Sequence, residues 1–144
     1  MSSPCACGRL RRAARAVTQL YDNAMAPSGL RVTQYSLLSV LAQNGALRIS
    51  ELAARQLLDR TALSRNLDPL IERGLVAVTA GHDARTREVA LTAKGANMLK
   101  RAQIYWKRAQ DNVARRVGKP KLDALIAILA ELESLHPHRE KTAG

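Results

Sequence analysis

From Ser50 to Leu91 the chain reads SELAARQLLDRTALSRNLDPLIERGLVAVTAGHDARTREVAL, and the spacing of its apolar residues changes within that stretch from helical to strand-like. Leu63, Leu67, Leu70 and Ile71 stand at i, i+4, i+7 and i+8, one stripe of a helix turned toward a core. The opposite face carries Arg60, Thr61, Ser64, Arg65 and Asp68. Val76 and Val78, and then Val89 and Leu91, alternate at period two on either side of Gly81-His82-Asp83-Ala84-Arg85-Thr86, which reads as a two-stranded ribbon with a polar, basic tip. A short helix, a second helix and a hairpin in direct succession predict a helix-turn-helix with a wing. A helix that shows Arg, Thr and Ser to solvent can reach phosphates and base edges in a major groove.

The flanking sequence predicts further helices and no separate second domain. A first helix covers roughly residues 5 to 26 and stops at Pro27-Ser28-Gly29. Thr33 is read as the N-cap of a second helix through about Gln43, with Tyr35, Leu37, Leu38, Val40 and Leu41 as its apolar surface and Asn44-Gly45 as its stop. Ala46 to Ile49 is a short apolar piece, Ser50 is read as the N-cap of the next helix, and Asp59 as that of the groove-facing helix, with Gly74 just past its end. Pro69 sits inside that helix, where it would cost about 3 kcal/mol in isolation and predicts a kink near Arg65 or an early end. Thr92 opens a long helix to about Val117, Gly118-Lys119-Pro120 breaks it, and Pro120 is placed at the first position of a last helix. In that last helix Leu122, Leu125, Leu129 and Leu132 form a packing seam, widened by Ile126, Ile128 and Leu135. Terminal helices this apolar in a chain of 144 residues predict a partner subunit.

A formal net charge of +11 favours polyanions as partners. No apolar run approaches the ~20 residues that a bilayer span needs, and Arg9, Arg11, Arg12 and Arg15 interrupt any signal-peptide core near the start, so a cytoplasmic protein without a membrane role is expected. Cys5 and Cys7 rule out a disulfide framework and leave the thiols at most a switching role. His82, His136 and His138 lack finger-like spacing with those cysteines, so no metal and no cofactor is expected. No phosphate loop, nucleophile elbow or HExxH motif occurs, and the chain is not read as an enzyme. The rival class is a basic helical module in which Arg9 to Arg15 engages RNA or acidic lipid. That alternative leaves the helix-turn-helix and wing unexplained.

Four features, in this order, resemble the MarR (multiple-antibiotic-resistance regulator) family: the succession of helices, the segment DRTALSRNLDPLIERGLV, the wing signature Asp83-Ala84-Arg85-Thr86-Arg87, and the LTAKG that opens the long helix. The resemblance spans about residue 5 to residue 135. It implies a mainly α winged helix-turn-helix with about six helices and a small β-wing, one domain over 1–144. Residues 30–95 would form the DNA-binding lobe, 5–28 and 96–137 the dimerisation helices, and 138–144 a flexible tail. It further implies a homodimer on a pseudo-palindromic operator in double-stranded DNA, acting as a repressor released by a small-molecule or oxidative signal. Carried over by position, Arg60, Thr61, Ser64, Arg65 and Asn66 would meet the major groove, Arg85 the minor groove, and Asp83 with Arg87 would brace the wing.

Two signals are open. Cys7 lies 14 residues before Tyr21 and 28 before Tyr35, a spacing that resembles the organic-hydroperoxide-sensing branch, in which such a cysteine is the peroxidatic thiol and a tyrosine two heptads on hydrogen-bonds it. Arg9, Arg11 and Arg12 supply positive charge nearby, and Cys5 is the candidate second thiol. Arg11 and Val32 stand where that branch places further tyrosines, and Gly8 where it has a bulky apolar residue. The other candidate signal is a small aromatic acid, with Arg15 pairing its carboxylate and Tyr21, Tyr35 and Trp106 forming aromatic walls.

Overall fold

The computed structural model describes residues 3–81, 83 and 85–137. His82, Ala84, His138 and the tail expected to be flexible lie outside the described residues. Six helices and three short strands follow one another as α1 (Ala6–Met25), α2 (Val32–Asn44), β1 (Leu47–Arg48), α3 (Ile49–Arg55), α4 (Arg60–Glu72), β2 (Val76–Ala80), β3 (Arg87–Leu91), α5 (Ala93–Val117) and α6 (Lys119–Glu133), with a 3-10 turn Ala26–Ser28 after α1. The strands form one antiparallel sheet in the order β1-β3-β2. In the hairpin, Val76 pairs with Leu91 and Val78 with Val89, as their period-two spacing predicts.

The core lies in the middle of the chain. Leu38 and Leu41 of α2, Leu52 of α3, Leu63 and Leu70 of α4, Leu75 and Val89 are almost wholly buried, and each such side chain contributes about 1.5–3 kcal/mol of apolar burial. By contrast α1 buries only Met25, and α6 only Leu122. Along α5 the buried positions are Gly95, Ala102 and Ala109, small residues that let α1 and α2 pack close against it.

Several boundaries differ from the sequence expectation. The N-cap of α2 is Arg31, not Thr33, because Asp22 of α1 accepts from Val32 N at 2.8 Å and Gln34 Oε1 accepts from Arg31 N at 3.0 Å. With those amides satisfied from elsewhere, a threonine cap is not required. Ser50 lies within the first turn of α3, whose N-cap is Arg48. The apolar piece before it is strand β1, which pairs Leu47 with Val89 and makes the sheet three-stranded rather than two-stranded. Pro69 does not end α4, which continues to Glu72, and Pro120 takes the second rather than the first position of α6. Ile71, expected on the buried stripe, is 38% exposed.

Candidate nucleic-acid interface

α4 starts from a strong cap. Asp59 Oδ1 accepts from Ala62 N at 2.7 Å, which satisfies one of the orphan amides of the first turn. Leu63, Leu67 and Leu70 anchor one side of the helix in the core, and this forces the other side outward. Arg60, Thr61, Ser64 and Arg65 are exposed on that outer side. Asn66 differs from them. At about 100° per residue it falls beside the buried stripe, and its Nδ2 donates to Ala62 O at 3.1 Å on its own helix.

The wing brings its basic tip toward the start of α4. Asp83 Oδ1 accepts from Arg85 N at 3.2 Å, and Asp83 O accepts from both Thr86 N and Thr86 Oγ1 at 2.9 Å. Gly81 N donates to Thr86 O at 2.7 Å and closes the loop base. Asp83 therefore braces the wing through backbone and threonine contacts, and not through the Arg87 side chain that the family resemblance pairs with it. Arg85 and Arg87 are left exposed.

Between wing, β1, α3 and α4 lies a cleft of about 780 Å³, lined among others by Arg48, Ser50, Asp59, Arg60, Arg85 and Arg87. Asp59 is committed to its cap, and among the described residues none of the four arginines is in an ion pair. Like charges gathered in a concave surface focus positive potential, and a polyanion relieves their repulsion. Arg48 is the functional candidate that the sequence reading did not single out. Its signal was faint, a lone arginine immediately before a helix.

The segment LTAKG proves to be a latch on the end of α4. Thr92 caps α5 through Gly95 N at 3.0 Å, while its hydroxyl also reaches Gly74 O at 2.7 Å and Leu75 O at 3.0 Å. Lys94 Nζ donates to Arg73 O at 2.8 Å. A Cβ on Gly95 would stand 2.0 Å from Leu75 O, so only glycine permits this approach. The recognition helix is thus held at its N-terminus by its own cap and at its C-terminus by α5.

The candidate sensor and ligand residues are not gathered in one place. Cys7 and Tyr21 both lie on α1, so their fourteen-residue separation is about 21 Å of helix and excludes a bond between them within a protomer. Both thiols are free and exposed, and Cys5 Sγ accepts from Gly8 N at 3.4 Å as the cap of α1. The Tyr21 hydroxyl instead donates to Gln110 Oε1 on α5. Burial pushes the Tyr21 phenol above its usual range, and it does the same for Tyr35, opposed there by a hydrogen bond with Ser39. Tyr35 stacks on Trp106 with ring centres 5.7 Å apart and belongs to the core. Arg15 is exposed and stands about 120° around α1 and about 9 Å along it from the part-buried Tyr21, so the two do not face one cavity. A smaller groove of about 290 Å³ lies elsewhere, between the 3-10 turn and α5, lined by Pro27, Ser28, Met98, Arg101, Ile104 and Tyr105. No helix among the described residues is long and apolar enough to cross a membrane. His136, among the histidines, is the one described.

A capped, outward-facing helix beside a basic wing defines a winged helix-turn-helix protein built to meet duplex DNA. The MarR family pattern matches residues 28–86. The HTH-type transcriptional repressor Rv2887 of Mycobacterium tuberculosis is 30% identical over 112 residues, covering 77% of this chain and 81% of the relative. Among solved structures, the M. tuberculosis transcriptional regulator MosR in complex with DNA is 44% identical, with a TM-score of 0.80 over 92% of this chain and 98% of that one. The transcriptional repressor CouR, bound to a 23-mer DNA duplex, is 30% identical, with a TM-score of 0.81 over 89% and 92%. CouR from Rhodococcus jostii RHA1 has also been solved with p-coumaroyl-CoA, at 25% identity and a TM-score of 0.74 over 86% and 88%. The chain belongs to the MarR family of transcriptional regulators, which are not enzymes.

Proposed function

We propose that the protein is a transcriptional repressor that binds a pseudo-palindromic operator as a homodimer. The observation that carries this reading is the convergence of Arg48, Arg60, Arg85 and Arg87 on one cleft beside the exposed Thr61–Ser64–Arg65 face of α4. Arg65 is assigned to guanine edges in the major groove, Thr61 and Ser64 to phosphates, and Arg85 to the minor groove. Asn66, turned onto its own helix, is assigned at most a backbone contact. Leu125, Leu129 and Leu132 are assigned to the dimer interface, whereas Leu122, expected on the same seam, is buried within its own protomer and is not available to a partner. The reading of Arg9 to Arg15 as an RNA or lipid module is not favoured, since neither partner uses the α4 face or the wing.

The test is fluorescence anisotropy on duplex DNA from upstream of the protein's own gene, against a scrambled duplex. Arg65→Ala is expected to lower the preference for the operator by about 1–3 kcal/mol per lost base contact. Arg85→Ala weakens binding without changing dimer mass. Parental affinity in both variants would reject this docking.

For the signal, the exposure of both thiols at the start of α1 supports oxidation at Cys7, with Cys5 as a second thiol. Because Tyr21 lies four turns away, any contact it makes with Cys7 comes from the partner subunit. Treatment with a mild organic hydroperoxide is expected to release DNA reversibly in the parent and not in Cys7→Ser. Release in both proteins moves the sensor off Cys7, and no release in either leaves an aromatic acid as the signal.

A further inference from the structure

The groove-facing residues all ride on α4, so their aim depends on what holds that helix relative to the rest of the protomer. Arg73, the C-cap of α4, is tied from both of its ends. Its Nη1 donates to Gly29 O at 3.0 Å, a carbonyl 44 residues upstream in the turn between α1 and α2. Its Nη2 stands 3.4 Å from Met98 Sδ on α5. Its own carbonyl accepts from Lys94 Nζ at 2.8 Å, also on α5.

Three points separate this from an ordinary surface arginine. Arg73 is half-buried and in no ion pair among the described residues, so it is placed by its two uncharged acceptors and not by Coulombic attraction. Those acceptors belong to two different elements, and a planar guanidinium reaching both fixes an angle as well as a distance. Gly29 is closed on itself by a bond from its N–H to Ala26 O at 3.1 Å and holds φ at +78°, so its carbonyl is a firm anchor. The groove-facing end of α4 makes no comparable bond to α1 or α5. Rotation of the helix about its buried leucines is therefore resisted at its C-terminal end, where the Arg73 side chain adds a tie to the turn between α1 and α2 that the Thr92–Lys94 latch onto α5 does not supply.

We propose that Arg73 is a positioning residue that sets the angle of α4 against α1 and α5, and with it the separation of the two recognition helices. The proposal rests on the dimeric reading above. A pair of rigid half-site readers gains from a second half-site only when their spacing matches it.

The test compares the parent with Arg73→Ala and Arg73→Lys on a duplex carrying both half-sites and on one carrying a single half-site, with sedimentation and thermal unfolding alongside. Arg73→Ala is expected to lose about tenfold on the two-site duplex and less than about twofold on the single site, while remaining a dimer. Arg73→Lys keeps the charge without the fork and is expected to lose about threefold on the two-site duplex alone. Should Arg73→Ala not fold, the Arg73→Lys ratio decides. Equal losses on both duplexes, or none, overturn the proposal, because they report a damaged helix or an idle side chain. A parent without any preference for two half-sites overturns the dimeric reading and the proposal with it, whereas a preferring parent matched by both variants overturns the proposal alone.

Discussion

Arg48 sits on β1 with its side chain at the cleft shared by Arg60, Arg85 and Arg87, where the backbone of a duplex seated on α4 would pass. A phosphate contact adds affinity without reading sequence. Arg48→Ala is therefore expected to weaken operator and scrambled duplex alike and to lower the salt dependence of binding by about one unit of slope. Anisotropy titrations over a salt series measure both, and a loss confined to the operator would make Arg48 a base reader instead. Its neighbours differ in how plainly a linear sequence announces them. Arg60, Thr61, Ser64 and Arg65 follow from the leucine stripe, because a stripe that must be buried dictates what faces out. Asn66 stands one position around from that stripe, and only the geometry reveals that its amide turns back to Ala62 O. Arg48 comes to the cleft through the pairing of β1 with β3, and Arg73 reaches Gly29 O and Met98 Sδ, and no local pattern encodes either placement.

At the scale of elements, the helices were legible because caps and breakers are local chemistry. Asp59, Thr92 and Gly118 stand where their residue types predict ends or starts. Strand β1 was missed because two residues carry no periodicity, and its existence depends on pairing with β3 some forty positions later. The N-cap of α2 was misplaced for a similar reason, since Asp22 of α1 supplies the acceptor. Thr92 shows how much one element boundary can hold. Its hydroxyl serves Gly95 N, Gly74 O and Leu75 O at once, joining the start of α5 to the turn after α4. Thr92→Val keeps the shape and removes the hydroxyl, and a lost cap together with under-satisfied carbonyls predicts about 1–3 kcal/mol of destabilisation. Chemical denaturation measures it. Thr92→Ser restores the hydroxyl and is expected to recover most of the loss, whereas equal behaviour of Ser and Val would assign the effect to the methyl group.

Across the whole molecule, the apolar surface is unevenly distributed. The core of α2, α3, α4 and the sheet is closed, while Leu10 and Val17 on α1, Val117 on α5, and Leu125, Ile126, Ile128, Leu132 and Leu135 at the C-terminal end remain exposed. A monomer in water gains nothing from leaving this many large aliphatic side chains uncovered, and their concentration on α1, α5, where Ile104 is exposed as well, and α6, with Ile71 of α4 the exception among the described residues, is what an obligate interface between copies looks like. Leu129, half-buried, continues the same seam. Replacing Leu125 and Leu129 together with glutamate puts charge into that seam, where desolvation opposes association. Sedimentation is expected to show monomers. Because the core of the winged helix-turn-helix contains neither residue, the variant should keep its affinity for a single half-site and lose the gain from a second one. That pairing of results distinguishes a broken interface from a broken fold, since unfolding would abolish binding to both duplexes. A variant that remained dimeric would place the interface on another face and would require the exposed α6 side chains to be explained without a second copy.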